Sequence, residues 1–244
     1  MSHQIILYDL ELSSPKEFWS PNTCKTRFAL NYKGIPYKTV WLKFPEVRQE
    51  IPKLTKSKAH PTVPIIVDIR NGNKVVQESW EIAKYLEEAY PDTPSLFNGN
   101  IGAHFFLHEY CSRRLLAKIF KLNVLTIAQK AGEYTQWFRE TREQLFKMSL
   151  EKFVGDESVH AKAITENLDA LGRVLKVYPY LTGNQVGWAD ICLASYLKFL
   201  HYMRPDQFQA LVLGDKKAGK QFGDWWNRMG KYMQDAPPPP TARI

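Results

Sequence analysis

What most constrains this chain is the point at which its β-strand signals end. Four short runs rich in branched and aromatic residues occur before residue 78: Gln4–Leu10, Tyr37–Leu42, Thr62–Ile69 and Lys74–Gln77. After them, no comparable run occurs. Residues 71–73 read Asn-Gly-Asn, a hairpin turn signal, so the third and fourth strands are expected to be antiparallel. Pro21–Tyr32 reads as a helix, stopped by Gly34 at a C′ position and by Pro36. A helical crossover between the first two strands makes that pair parallel. Lys43–His60 is polar, lysine-rich and weakly periodic, which predicts irregular structure or short helices. Glu78–Pro91 places Trp80, Ile82, Ala83, Tyr85, Leu86 and Ala89 at helical spacing.

The order β-α-β-α-β-β-α over residues 1–90 is a thioredoxin-like α/β arrangement. Pro91–Asn100 is rich in Pro, Asn and Gly and reads as a linker. Residues 101–234 are expected to be all-helical, with helices near 102–131, 133–153, 158–178, 189–203 and 217–234. Residues 235–244 form a proline-rich tail that cannot build a core. With 44% hydrophobic residues in 244, the chain can bury a substantial interior. No apolar run reaches the length of a membrane span, and the N-terminus lacks the basic head and cleavage site of a secretory signal. The three cysteines, Cys24, Cys111 and Cys192, lie far apart and are odd in number. That argues against a disulfide framework and for a reducing compartment, hence the cytoplasm. No His/Cys triad has metal-ligand spacing, so no metal is expected. The formal charge of +8 is spread along the chain among acids, with no nucleic-acid-binding signature; it is compatible with an anionic small substrate.

Four local motifs occur in a telling order. Ser20-Pro21-Asn22-Thr23 opens the first helix, Val63-Pro64 opens the third strand, and Glu78-Ser79 opens the helix after the hairpin. In the helical part, Gly183, Ala189 and Asp190 stand in the segment LTGNQVGWADICLASYL. Together with the domain order they resemble the glutathione transferase superfamily over nearly the whole chain. Gly187 departs from its pattern, standing where a Ser or Thr N-cap is usual, which predicts a weaker cap. The segment from Ser13 to Tyr37 is most similar to the fungal FuA class, related to bacterial lignin β-etherases.

The resemblance implies glutathione as co-substrate, hydrophobic aromatic small molecules as second ligands, and a homodimer. It also gives roles to residues that have plainer explanations. Ser20 is by position a helix N-cap. As a catalytic residue, its hydroxyl would donate to the glutathione sulfur at a helix N-terminus that already favours anions. A free thiol titrates near about 8.5, so a downward shift of about two units, near 2.7 kcal/mol, makes the sulfur mostly thiolate at neutral pH. Val63, before a cis-proline, would bind the cysteinyl unit through its backbone. Glu78 and Ser79 are ordinary first-turn residues that would bind the γ-glutamyl ammonium and carboxylate. His60 and Gln49, with Lys43 and Lys53 behind them, are the candidates for the glycyl carboxylate. The pocket for the second substrate is expected between Ser20 and Ile101–Cys111, with His104, Phe105 and His108 as a wall. Ser14 sits in a loop, Tyr8 inside a strand, and Cys24 one turn up the helix from Ser20 as a buried structural thiol. A cysteine nucleophile at the helix mouth, as a glutathione-dependent thiol oxidoreductase needs, is replaced by Ser20. A carrier of aromatic ligands with weak catalysis is the alternative to an enzyme.

Overall fold

The computed structural model describes residues 4–57 and 60–237. Strand β1 (Ile5–Leu10) is followed by helix α1 (Pro21–Lys33), β2 (Tyr37–Leu42), α2 (Phe44–Thr55), β3 (Ile65–Asp68), β4 (Lys74–Gln77) and α3 (Ser79–Ala89). The sheet order is β2-β1-β3-β4. β1 and β2 are parallel, with Ile5 opposite Tyr37, and the two remaining pairings are antiparallel. This is the thioredoxin-like fold expected from the strand and helix order. Gly34 ends α1 in the left-handed conformation at φ 67°, and its N–H closes onto Leu30 and Asn31 carbonyls.

Lys43–His60 is more regular than its weak periodicity predicts, because α2 spans twelve residues of it. Phe44, Val47 and Ile51 form one buried face, Pro45 opens the first turn, and the Glu46 carboxylate accepts from the Lys43 N–H. Strand β3 starts only at Ile65, directly after the cis Val63-Pro64 bond.

The rest is helical: α4 (Ile101–Cys111), α5 (Ala117–Lys130), α6 (Thr135–Phe146), α7 (Leu150–Val154), α8 (Glu157–Val177), α9 (Trp188–Met203), α10 (Pro205–Phe208) and α11 (Gly219–Met229). The expected helix near 102–131 is interrupted by a π-helical turn at Ser112–Leu116, which joins α4 to α5. The one near 133–153 breaks at Lys147, which has φ 55°. Helix α9 runs through the interior, with Ile191, Leu193, Tyr196, Leu197 and Phe199 fully buried, and it packs against α1.

Two further contacts fix α1. Buried Arg27 donates to the Asp9 carboxylate of β1 at 2.9 Å. The chain after α11 returns to the same helix: the Tyr232 and Gln234 carbonyls accept from Asn31 Nδ2, and the Asp235 carbonyl from Arg27 and the Tyr37 hydroxyl. The start of the expected tail is therefore held down; residues 238–244 of it lie outside the described residues.

Candidate active site

A cavity of about 460 Å³ opens between the sheet unit and the helices. On one side it is lined by Ser20, Asn22, His60, Thr62 and Val63. On the other stand Ser112, Leu116, Phe120, Trp137, Phe138 and Arg142.

Ser20 occupies the N-cap of α1 in an extended conformation, φ −64° and ψ 125°, and is buried. Its carbonyl accepts from the Cys24 N–H at 2.9 Å and from the Thr23 hydroxyl at 3.2 Å. Its own hydroxyl makes no capping hydrogen bond. The position thus offers a cap, but the hydroxyl is left for something in the cavity. The first-turn N–H groups of α1 have no intrahelical acceptor by helix geometry, so this end carries partial positive charge.

The Ser112 side of the cavity is backed by a buried lysine. Lys25 donates to the Tyr196 hydroxyl at 3.4 Å, and Tyr196 in turn lies 2.7 Å from the hydroxyl of Ser112 on the cavity wall. Burial pulls the Lys25 pKa down, while Cys192, Glu78 and Cys111 act to raise it. All three cysteines are free and buried. Burial pushes the Cys192 thiol up to about 12 and moves Cys24 and Cys111 upward as well. None is a thiolate at neutral pH, and Cys24 lines no part of the cavity. Tyr8 and Ser14 are likewise absent from its lining, and burial followed by Glu50 raises the tyrosine's pKa.

The structure brings Ser20, His60 and Val63 to one cavity. Glu78 joins them through one intermediary: its carboxylate accepts from the hydroxyl of the cavity-lining Thr62 at 3.0 Å. Glu78 adopts φ 70°, a left-handed conformation costly for a non-glycine residue. Ser79 is buried as the first residue of α3 and does not line the cavity. Gln49 is not brought in; it is exposed on α2, and its neighbour Arg48 lines the cavity instead. Lys43 and Lys53 are taken up by Glu133 and Glu50.

The expected wall at Ile101–Cys111 is corrected. His104 Nδ1 accepts from the Ala189 N–H, and His108 Nδ1 accepts from the Trp188 indole, both at 3.2 Å. Phe105 stacks on His108 and packs tilted against Trp80. These side chains serve the junction of α4 with α9. The cavity wall begins in the π-helical turn that follows and continues into α5 and α6. Arg48, Ser112, Phe120, Trp137 and Arg142 were not foreseen. Only the spacing Phe138–Arg142, an aromatic and a cation four residues apart on one helix, marked any of them in sequence.

The family model for the glutathione S-transferase N-terminal domain matches residues 19–94, and that for its C-terminal domain matches residues 103–234. The chain belongs to the glutathione S-transferase family. As a member it is a glutathione transferase, with glutathione as co-substrate. Among curated relatives, the glutathione S-transferase-like protein ustS of Aspergillus flavus is 26% identical over 215 residues, covering 78% of this chain and 77% of ustS. Among solved structures, the glutathione transferase GSTFuA3 of Phanerochaete chrysosporium is 28% identical with a TM-score of 0.82, covering 95% of this chain and 98% of its own. The β-etherase LigF of a Sphingobium strain shares the fold, with a TM-score of 0.67 at 18% identity over 93% of this chain and 95% of its own. Among the described residues, no helix of this transferase is long and apolar enough to cross a membrane.

Proposed function

We propose that this transferase is of the serine type: it holds glutathione as a thiolate at the mouth of α1 and directs it at aromatic electrophiles. The observation that carries this is the buried Ser20 hydroxyl, unused as a cap, facing a cavity with an apolar and aromatic far wall. Ser20 donates to the sulfur, and the anion so formed is favoured over the thiol by that bond and by the α1 terminus. Val63 aligns the cysteinyl backbone. Thr62 and Glu78 receive the γ-glutamyl ammonium, Ser79 its carboxylate, and His60 the glycyl end. The electrophile lies against Phe120, Trp137 and Phe138, so that much of the rate comes from proximity to a ready nucleophile.

The test is an ultraviolet titration of bound glutathione. In the wild-type protein the thiolate persists well below the free thiol's pKa; in Ser20→Ala the titration moves up toward the free value of about 8.5, with glutathione still bound. An unchanged titration removes Ser20 from the mechanism. The same aromatic cavity also supports the carrier alternative. Aromatic ligands that raise the melting temperature of a protein with no measurable conjugation would favour it. The reading extends to cytoplasmic location and to a homodimer, for which exposed Ile101, Phe105 and Phe106 of α4 are candidate contacts. Sedimentation at micromolar concentration decides the latter.

A further inference from the structure

Two guanidiniums share the cavity with no carboxylate. Arg48 on α2 and Arg142 on α6 both line it, and no Asp or Glu does. Neither arginine has an ion pair or hydrogen bond among the described residues. Each is held by a ring instead: Arg48 lies over Trp137 at 4.9 Å and Arg142 over Phe138 at 5.0 Å. Phe44 of α2 stacks on Trp137 at 5.9 Å, which ties the two helices together beneath the cations.

The acids that could have neutralised them are engaged elsewhere. On α2, Glu46 accepts from the Lys43 N–H and Glu50 pairs with Lys53. On α6, Glu140 accepts from Gln136 and Glu143 pairs with Arg139. The other arginines at structural positions look different: Arg27 has Asp9, and Arg204 has Glu157 and Asp206. Burial, with the repulsion of Arg48, lowers the Arg142 pKa, so the two charges feel each other across an apolar space. Arg48 is exposed and Arg142 only partly so, and two like charges at one cavity without an acid favour an anion that joins them. A planar carboxylate matches a guanidinium fork better than any neutral group does.

We propose that the second-substrate site takes an aromatic carboxylate, with its ring against Trp137 and Phe138 and its carboxylate between Arg48 and Arg142. This rests on the transferase function above and names the substrate class. The cations stand on the aromatic wall, whereas His60, Thr62 and Val63 serve the glutathione end, so the anion they await belongs to the second substrate. In a displacement of this kind the glutathione sulfur forms a bond to a ring carbon. The halide there departs with the bonding pair, and the thiol proton goes to solvent.

Binding is measured first, by calorimetry without glutathione, using 3,5-dinitrobenzoate and the matched neutral 3,5-dinitrobenzamide. The wild-type protein is expected to prefer the acid by roughly tenfold or more, and salt to erode that preference. Arg142→Met and Arg48→Met should each remove most of the preference and leave amide binding within about twofold. Arg142→Lys should restore it only in part. Equal affinity for acid and amide in the wild type overturns the proposal. So does a preference that survives both methionine variants, or variants that weaken glutathione binding rather than acid binding. Turnover is then compared with 4-chloro-3,5-dinitrobenzoate and its amide. Conjugation of both at equal kcat/KM also sinks the carboxylate site while keeping the transferase function. An arginine-dependent preference for the acid without conjugation of either compound does the reverse.

Discussion

The N-termini of α1 and α9 begin alike and end up opposite. Each opens a buried helix, and each has an N-cap residue that supplies no side-chain bond, Ser20 in one and Gly187 in the other. At α9 everything else closes in. Trp188 N–H donates to the Leu96 carbonyl at 2.7 Å, Ala189 N–H to His104 Nδ1, and Gly187 N–H to the Asp190 carboxylate. Asp190 also accepts from the Leu181 N–H and the Trp225 indole and is fully buried. At α1 the equivalent end is left open to a cavity, with its serine hydroxyl unspent. A helix start that the fold satisfies is architecture. One that the fold leaves unsatisfied is available to a ligand.

Removing the carboxylate at the closed end should have the largest effect on stability. Asp190→Ala strands three buried donors and is expected to cost about 3–5 kcal/mol, read from the denaturant midpoint. Ser20→Ala, at the open end, should change stability by no more than about 0.5 kcal/mol, because nothing in the fold leans on that hydroxyl. Its conjugation rate should fall by up to about a hundredfold, the equivalent of two pKa units. If Ser20→Ala destabilises as Asp190→Ala does, the contrast between the two ends fails.

The glycine at α9 gives a finer test. A Cβ on Gly187 would stand 2.2 Å from His104 Cε1 and 3.1 Å from the Leu96 carbonyl oxygen. The departure from a Ser or Thr N-cap is therefore compensated: His104 takes over the capping of Ala189 and fills the space that a side chain would need. Gly187→Ser should cost about 1–3 kcal/mol by overpacking. Combined with His104→Ala, the same serine gains both room and a donor to cap, so the double variant should be more stable than the sum of the singles predicts. Strict additivity would show that His104 and Gly187 are not coupled.

What the sequence made legible follows the range of the interactions. The four strands and the helix mouth at Ser20 rest on local chemistry and on spacing, the cis Val63-Pro64 step rests on the family resemblance, and the fold came through with element ends shifted by a few residues. The capping of α9 by His104 did not. It joins residues 85 positions apart, and in sequence Gly187 showed only a missing hydroxyl. The far wall of the cavity was misplaced because a π-helical turn in a uniformly helical pattern leaves no mark, yet it decides which residues after Cys111 turn toward Ser20. Arg48 and Arg142 were passed over as two of many basic residues; what distinguishes them is that both line the cavity with no acidic partner, a property of tertiary structure alone.

The smallest effect is expected from pH, because the closed end of α9 holds groups that oppose one another. His104 and His108 must stay neutral to accept from Ala189 and Trp188. Burial lowers both pKa values, that of His108 to about 4 with Lys25 adding to the shift. A base with a lowered native pKa contributes stability that is complete above its unfolded value of about 6.5 and is lost as pH falls through the native value. Asp190 runs the other way. Burial outweighs its three hydrogen bonds and raises its pKa to about 6. Native Asp190 therefore takes up a proton before the unfolded chain does, and its contribution grows as pH falls from about 6 toward 3.8. Two imidazoles against one carboxyl leave a net loss of stability between pH 6.5 and 4, shallower than the imidazoles alone would give. His108→Phe should flatten that loss or reverse it, measured as denaturant midpoints across the range. A wild-type midpoint that rises steadily from pH 6.5 to 4 would mean that the carboxyl, not the imidazoles, governs this end of the helix.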